Sequence, residues 1–293
     1  MDALPIILVI FSTFMHAAWN LLLRYRGGTQ ACFWRMQSSI VLLGAVPAFI
    51  SLITYPSLSN IAILCLLGSG ACCGIYYFCL ARGYESGDFT TVYPASRALP
   101  VLLIGVGDTI RGRPPSLLGW LGMIFVAIGC LLVPLNSISD LRFRHYLRPV
   151  SGWILLTAMG TVGYSLLDKI GTEAIPRGPR EAAVYCYFYQ LVALMSSYVL
   201  RMLVSQPAGH TQNVGWFIPT SAGILCFLAY WLVLWAYQMV ARASYVVAFR
   251  QFSIVIGVLI AFVLFNESGK GIRFAGAIAI TVGLLLLKIF GAS

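Results

Sequence analysis

Charge is what this chain has least of. Asp and Glu together number 9 in 293 residues, and all charged types make up 10% of the sequence, where soluble domains carry about 25%. No stretch of domain size is polar, so no soluble catalytic or binding domain is expected beside the apolar runs. A basic n-region is also missing: Met1-Asp2 precedes the first run, and no small-residue cleavage site follows it. That run is expected to stay as a helix rather than to be removed as a secretory signal. Metal-ligand spacing is absent too. His16, His145 and His210 are scattered, and the eight cysteines (Cys32, Cys65, Cys72, Cys73, Cys79, Cys130, Cys186 and Cys226) all fall inside apolar runs. Neither a disulfide framework nor a zinc site is suggested, the thiols read as small packing residues, and no cofactor or metal is expected.

What is there is apolar: 60% hydrophobic residues and a mean hydropathy of +0.88. Windows long enough to cross a bilayer fall at 4–23, 32–53, 61–81, 89–107, 117–135, 151–167, 183–204, 216–239, 244–265 and 273–290. The formal charge of +10 resides in loops and span ends, which suits anionic lipid headgroups and not nucleic acid. The side of the first loop holds ten Lys and Arg and the side of the termini seven, a bias toward external termini under the positive-inside rule.

The chain repeats itself. His16-Ala17-Ala18-Trp19-Asn20-Leu21-Leu22-Leu23-Arg24 parallels Thr161-Val162-Gly163-Tyr164-Ser165-Leu166-Leu167-Asp168-Lys169, and Pro100 to Gly122 parallels Ile254 to Gly276. Five spans per copy is odd, so consecutive copies must lie in opposite orientations. The fold class is an all-α integral membrane protein, ten transmembrane helices in two inverted five-helix repeats over 1–140 and 150–293. Such repeats place a substrate site near the midplane between the halves.

At these residues the chain resembles the drug/metabolite transporter superfamily, specifically its ten-helix EamA-type carriers, over essentially the whole length. The likeness is carried by the start of the first half, by Tyr93-Pro94-Ala95-Ser96-Arg97-Ala98-Leu99-Pro100, and by Ala248 to Glu267. In the last stretch the family often places an acid after the arginine, whereas this chain reads Arg250-Gln251-Phe252-Ser253. The resemblance implies a polyspecific small-molecule carrier of the bacterial inner membrane with cytoplasmic termini, opposite to the charge bias. It also implies a cavity between the first, third, fourth, sixth, eighth and ninth spans.

Arg97 lies roughly 12 Å into the fourth span and Arg250 roughly 9 Å into the ninth, at ~1.5 Å per residue. A guanidinium at such depth costs at least ~2.5 kcal/mol and should face the bundle interior or a watered cavity. One reading is a paired clamp for a carboxylate or phosphonate. The other is a structural lock on helix carbonyls freed around Pro94 and Pro100, prolines that also make the fourth span a candidate gate. Glu85, Asp88, Asp108, Asp168 and Glu267 are expected at span ends or turns, none near a midplane. His16 is then the one candidate for proton exchange, and a proton antiporter, a facilitator and an exchanger all remain open. Asn20, Gln251, Trp19, Tyr93, Tyr164 and Trp235 complete the candidate substrate-binding set, the aromatic members offering apolar walls with polar tips.

These residues lead to a secondary transporter, exporter or exchanger, of small polar or amphipathic metabolites such as amino acids or organic anions. The alternatives are multidrug or lipophilic-cation efflux and flipping of a lipid-linked substrate. No His/Asp/Ser or metal cluster recommends an enzyme. Partners are the small-molecule substrate and membrane lipids, and the sequence leaves monomer and homodimer open.

Overall fold

The structure, a computed structural model, describes residues 3–25, 30–86, 89–133, 135, 150–204, 215–264 and 270–290; side chains at 24–25, 84–86, 89–95, 150–151, 260–264 and 270 lie outside the description. The described residues form helices α1 (Ala3–Tyr25), α2 (Gln30–Thr54), α3 (Asn60–Ser86), α4 (Phe89–Ile110), α5 (Leu117–Leu132), α6 (Val150–Glu173), α7 (Pro179–Leu203), α8 (Phe217–Tyr237), α9 (Ala243–Arg250), α10 (Phe252–Leu264) and α11 (Lys270–Phe290). Six of them are long and apolar enough to cross a membrane, joined by the shorter apolar stretches Leu117–Leu132 and Ala243–Leu259.

The outer surface is the apolar one. On α2, Leu42, Leu43, Val46, Phe49, Ile50 and Ile53 all point outward. On α11, Ile278, Val282, Leu285 and Ile289 do so while Ala277, Ile280, Leu284 and Leu287 pack inward. Polar residues are drawn inside instead, among them His16, Asn20, Arg97, Asp168 and Arg250. An exterior of this kind is stable only against lipid tails.

Helix contacts come in matched sets. α3 packs on α6 and α8 on α1; α3 on α7 and α8 on α2; α4 on α6 and the α9–α10 pair on α1; α4 on α5 and α10 on α11. α2–α7 and α5–α11 each join members that the sequence repeat makes equivalent. The α5–α11 contact is built on two glycine pairs. A Cβ at Gly122 would stand 2.8 Å from the Gly283 carbonyl, and one at Gly276 would stand 3.0 Å from the Gly129 carbonyl, so only glycine lets the two backbones touch. Gly122 and Gly276 occupy equivalent positions in the sequence repeat, and Gly129 and Gly283 follow each by seven residues.

Two expectations are corrected here. The ninth apolar run is divided: α9 stops at Arg250, Gln251 turns the chain, and the ladder tightens to Gln251 N–H on Ala248 O at 3.0 Å and Ile254 N–H on Gln251 O at 2.9 Å. The sixth helix also continues to Glu173, past the end of its apolar window. Nothing breaks it before Pro176, and Lys169 pairs with Glu173 one turn on, at 2.8 Å. Asp168 is thereby inside the helix bundle and fully buried, not at a wet span end. Asp108, near the end of α4, is buried as well. Its carboxylate accepts the first amides of α9, Ala243 N–H at 3.1 Å and Ser244 N–H at 2.8 Å, capping that helix from another element.

Candidate functional site

The site begins on one face of α1, where His16, Trp19 and Asn20 sit three and four residues apart. Asn20 Nδ2 donates to the His16 carbonyl at 2.8 Å, holding that turn. Trp19 Nε1 donates to His16 Nδ1 at 3.1 Å, and the two rings meet edge to face at 5.0 Å. On the other side of the imidazole, the Arg97 guanidinium from α4 meets His16 Nε2. Indole and guanidinium are donors only, and a neutral imidazole has a single accepting nitrogen. A neutral imidazole therefore accepts from one of these two donors only.

Arg250, the last residue of α9, faces the same interior space. It is 6% exposed. Its Nε has no hydrogen-bond partner, and no carboxylate lies within ion-pair reach among the described residues. Its guanidinium lies over the Tyr230 ring, 5.2 Å from the centroid. Tyrosines build the surrounding wall: Tyr164 meets Tyr76 and Tyr230 edge to face at 5.7 Å each, and Tyr189 stacks on Tyr230 at 5.0 Å. A cavity opens between His16 and Trp19 on one side and Arg250 with these rings on the other, with Cys73 and Cys226 in its lining. It holds roughly one or two waters' worth of space, so a metabolite enters only when the helices part.

Behind Tyr230 stands Asp168, which sequence reasoning passed over. Its Oδ1 accepts from Tyr185 Oη at 3.1 Å and from Ser69 Oγ, and its Oδ2 accepts from Tyr230 Oη. Helices α3, α7 and α8 thus all donate to one carboxylate of α6. The adjacent Lys169 points the other way, donating to the carbonyls of Tyr237, at 2.5 Å, and Val240 at the end of α8. Arg111 bridges Asp108, at 3.3 Å, and Glu173, at 2.6 Å, and completes a charged cluster that ties α4, α6, α8 and α9 together. The signal for these acids was a helix pattern running past its apolar window with no breaker, not a motif.

Of the sequence-derived candidates, His16, Trp19, Tyr164 and Arg250 line the cavity, and Arg97 and Asn20 support His16. Gln251 is buried beside Arg250, its Nε2 donating to the Val247 carbonyl at 3.0 Å and its Oε1 unpartnered. Trp235 lies elsewhere, half-buried and stacked on Trp231 at 6.4 Å. Pro100 is buried within α4; the side chains of Tyr93 and Pro94 lie outside the described residues.

Residues 3–135 match the model of the EamA-like transporter family. No curated protein matches the chain. Among 25 solved chains that do, one described as "crystal structure of protein" aligns over 100% of this chain and 99% of its own, at a TM-score of 0.71 and 13% identity. That likeness shows a shared fold alone.

Proposed function

We propose, from the match of residues 3–135 to the EamA-like transporter family, that this chain is a carrier of that family within the drug/metabolite transporter superfamily and takes small metabolites bearing a carboxylate or another anionic or zwitterionic group. The observation behind the substrate class is Arg250: a buried guanidinium at the edge of a tyrosine-walled cavity, its Nε unpartnered and no carboxylate in ion-pair reach among the described residues. A fork of N–H donors is matched by a carboxylate or phosphonate. The rings supply apolar contact for the rest of an amphipathic substrate.

Carriage is by alternating access between the halves 1–140 and 150–293, acting as inverted repeats in the bacterial inner membrane, as an exporter or exchanger. The matched helix contacts and the doubled glycine pairs support that reading. A second reading, efflux of lipophilic cations, draws on the tyrosine faces, which attract cations; the Arg250 guanidinium beside the same space opposes it. Flipping of a lipid-linked substrate needs a lateral opening, and accumulation of a soluble solute in liposomes argues against it.

Thermal unfolding of the purified protein against amino acids, organic acids, phosphonates and lipophilic cations tests the class. A true anionic ligand at ~100 times its dissociation constant stabilises by about 2.7 kcal/mol. Arg250→Gln is expected to remove that stabilisation and Arg250→Lys to keep part of it. Stabilisation by cations alone, or an undiminished response in Arg250→Gln, makes the arginine structural.

A further inference from the structure

Asp168 has no role in the anion reading, yet it is the most thoroughly enclosed carboxylate beside the cavity. It is fully buried, three hydroxyls aim their protons at it, and no cationic side chain is bonded to it among the described residues. A carboxylate away from water is stable when paired or protonated; here hydroxyl dipoles alone hold it, and a proton is the one cation that needs no further ligand. Tyr230 connects it to the substrate side, since its hydroxyl donates to Asp168 Oδ2 while its ring lies under the Arg250 guanidinium.

The surroundings hold few competitors for that role. The thiols of Cys65, Cys72 and Cys73 on α3 and of Cys186 on α7 are near enough to feel this carboxylate's charge. The phenols of Tyr185 and Tyr189 on α7 and of Tyr230 and Tyr237 on α8 feel it as well. Arg250 on α9 is a full charge of opposite sign that acts on it. Lys169 is turned to the α8 carbonyls and Glu173, and Asp108 on α4 is engaged by α9 and Arg111.

We propose that Asp168 is the proton-binding site of this carrier, loading a proton together with an anion at Arg250, so that the two cross the membrane in the same direction. The proposal rests on Arg250 receiving the anionic group. While Arg250 is unpaired, its positive charge favours ionised Asp168; an anion neutralises it and so favours protonation. One proton from the medium joins a carboxylate oxygen on one side and leaves it on the other, with no other bond changed. Protonated at Oδ2, the acid becomes a donor and Tyr230 Oη must accept, which turns the Tyr230 hydroxyl proton away from Asp168 and changes the polarity of the cavity wall. Proton occupancy is in this way felt at the substrate site.

Two measurements on the full-length protein in detergent test this. Infrared difference spectra between alkaline and acid buffer should show the C=O band of a protonated, buried carboxylic acid in wild type and not in Asp168→Asn. Benzoate, as the carboxylate probe, should bind about tenfold more tightly per pH unit as pH falls over the range where that band appears. Its binding should be independent of pH in Asp168→Asn. Tyr230→Phe, which keeps the carboxylate but cuts its link to Arg250, should also flatten the dependence, and it carries the test if Asp168→Asn does not fold. Absence of the band overturns the proton site whatever benzoate does. A band with pH-independent benzoate binding overturns joint loading and leaves the anion reading standing. A band with no benzoate binding at any pH leaves the proton site and sinks the anion reading, and joint loading with it.

Discussion

Lys169 and Arg250 are both buried cations, and their circumstances are opposite. Lys169 spends its donors on the carbonyls that end α8 and on Glu173, whereas Arg250 has a tyrosine face and an unpartnered Nε. Replacing each by methionine separates structure from function. Lys169→Met removes charge-assisted bonds and bares helix-end carbonyls, at about 1.5–3 kcal/mol, and should lower the thermal midpoint in detergent. Arg250→Met replaces an uncompensated buried charge by an apolar chain of similar reach, which is neutral or stabilising, while any stabilisation by anions disappears. A loss of stability in Arg250→Met comparable to that in Lys169→Met assigns Arg250 to the framework. Arg250 was legible in the sequence because an arginine inside an apolar run stands out at once. Its lack of a partner was less so, because partners come from other helices; the hydroxyls of Ser69, Tyr185 and Tyr230 around Asp168 are separated by up to 99 residues from it and follow no short spacing.

At the scale of elements, the apolar windows are helical, the ninth as two helices, because lipid leaves the backbone no other way to satisfy its polar groups, so the sequence pattern was a direct reading of the solvent. Ends were less legible. α6 runs beyond Leu167 because Asp168 and Lys169 find partners inside the bundle and need no water, and the ninth run divides at Gln251 with no proline or glycine to announce it. The glycine-bearing α5 was visible as a close-packing helix, and its doubled contact with α11 makes a sharp prediction. Gly283→Ala places a Cβ 2.9 Å from the Val126 amide nitrogen, with the Gly122 carbonyl closer still. Overpacking of this kind costs about 1–3 kcal/mol. Gly257→Ala in α10, where a Cβ meets nothing within 4 Å, should leave the thermal midpoint unchanged or raise it. Equal effects of the two substitutions would mean that α5 and α11 do not touch through their backbones.

For the whole molecule, a carrier whose site admits roughly one or two waters can bind a metabolite only by moving its helices, and the cavity thiols report that motion. In a variant keeping Cys226 as its single cysteine, a membrane-permeant maleimide should label slowly, and a bound anion at Arg250 should slow it further, read as the modified fraction by mass spectrometry. An unchanged rate in saturating ligand places the anion elsewhere. The unpartnered Nε of Arg250 beside the cavity also bears on the salt in which the protein is handled. A cationic N–H without a partner beside a small space is an invitation to the counterions of the medium. At equal ionic strength, chloride and nitrate, small enough to enter, should preserve the protein better than gluconate, which is too large. The same halide should weaken the apparent affinity for a carboxylate by simple occupancy, so that the substrate's competitor in every experiment is the buffer itself.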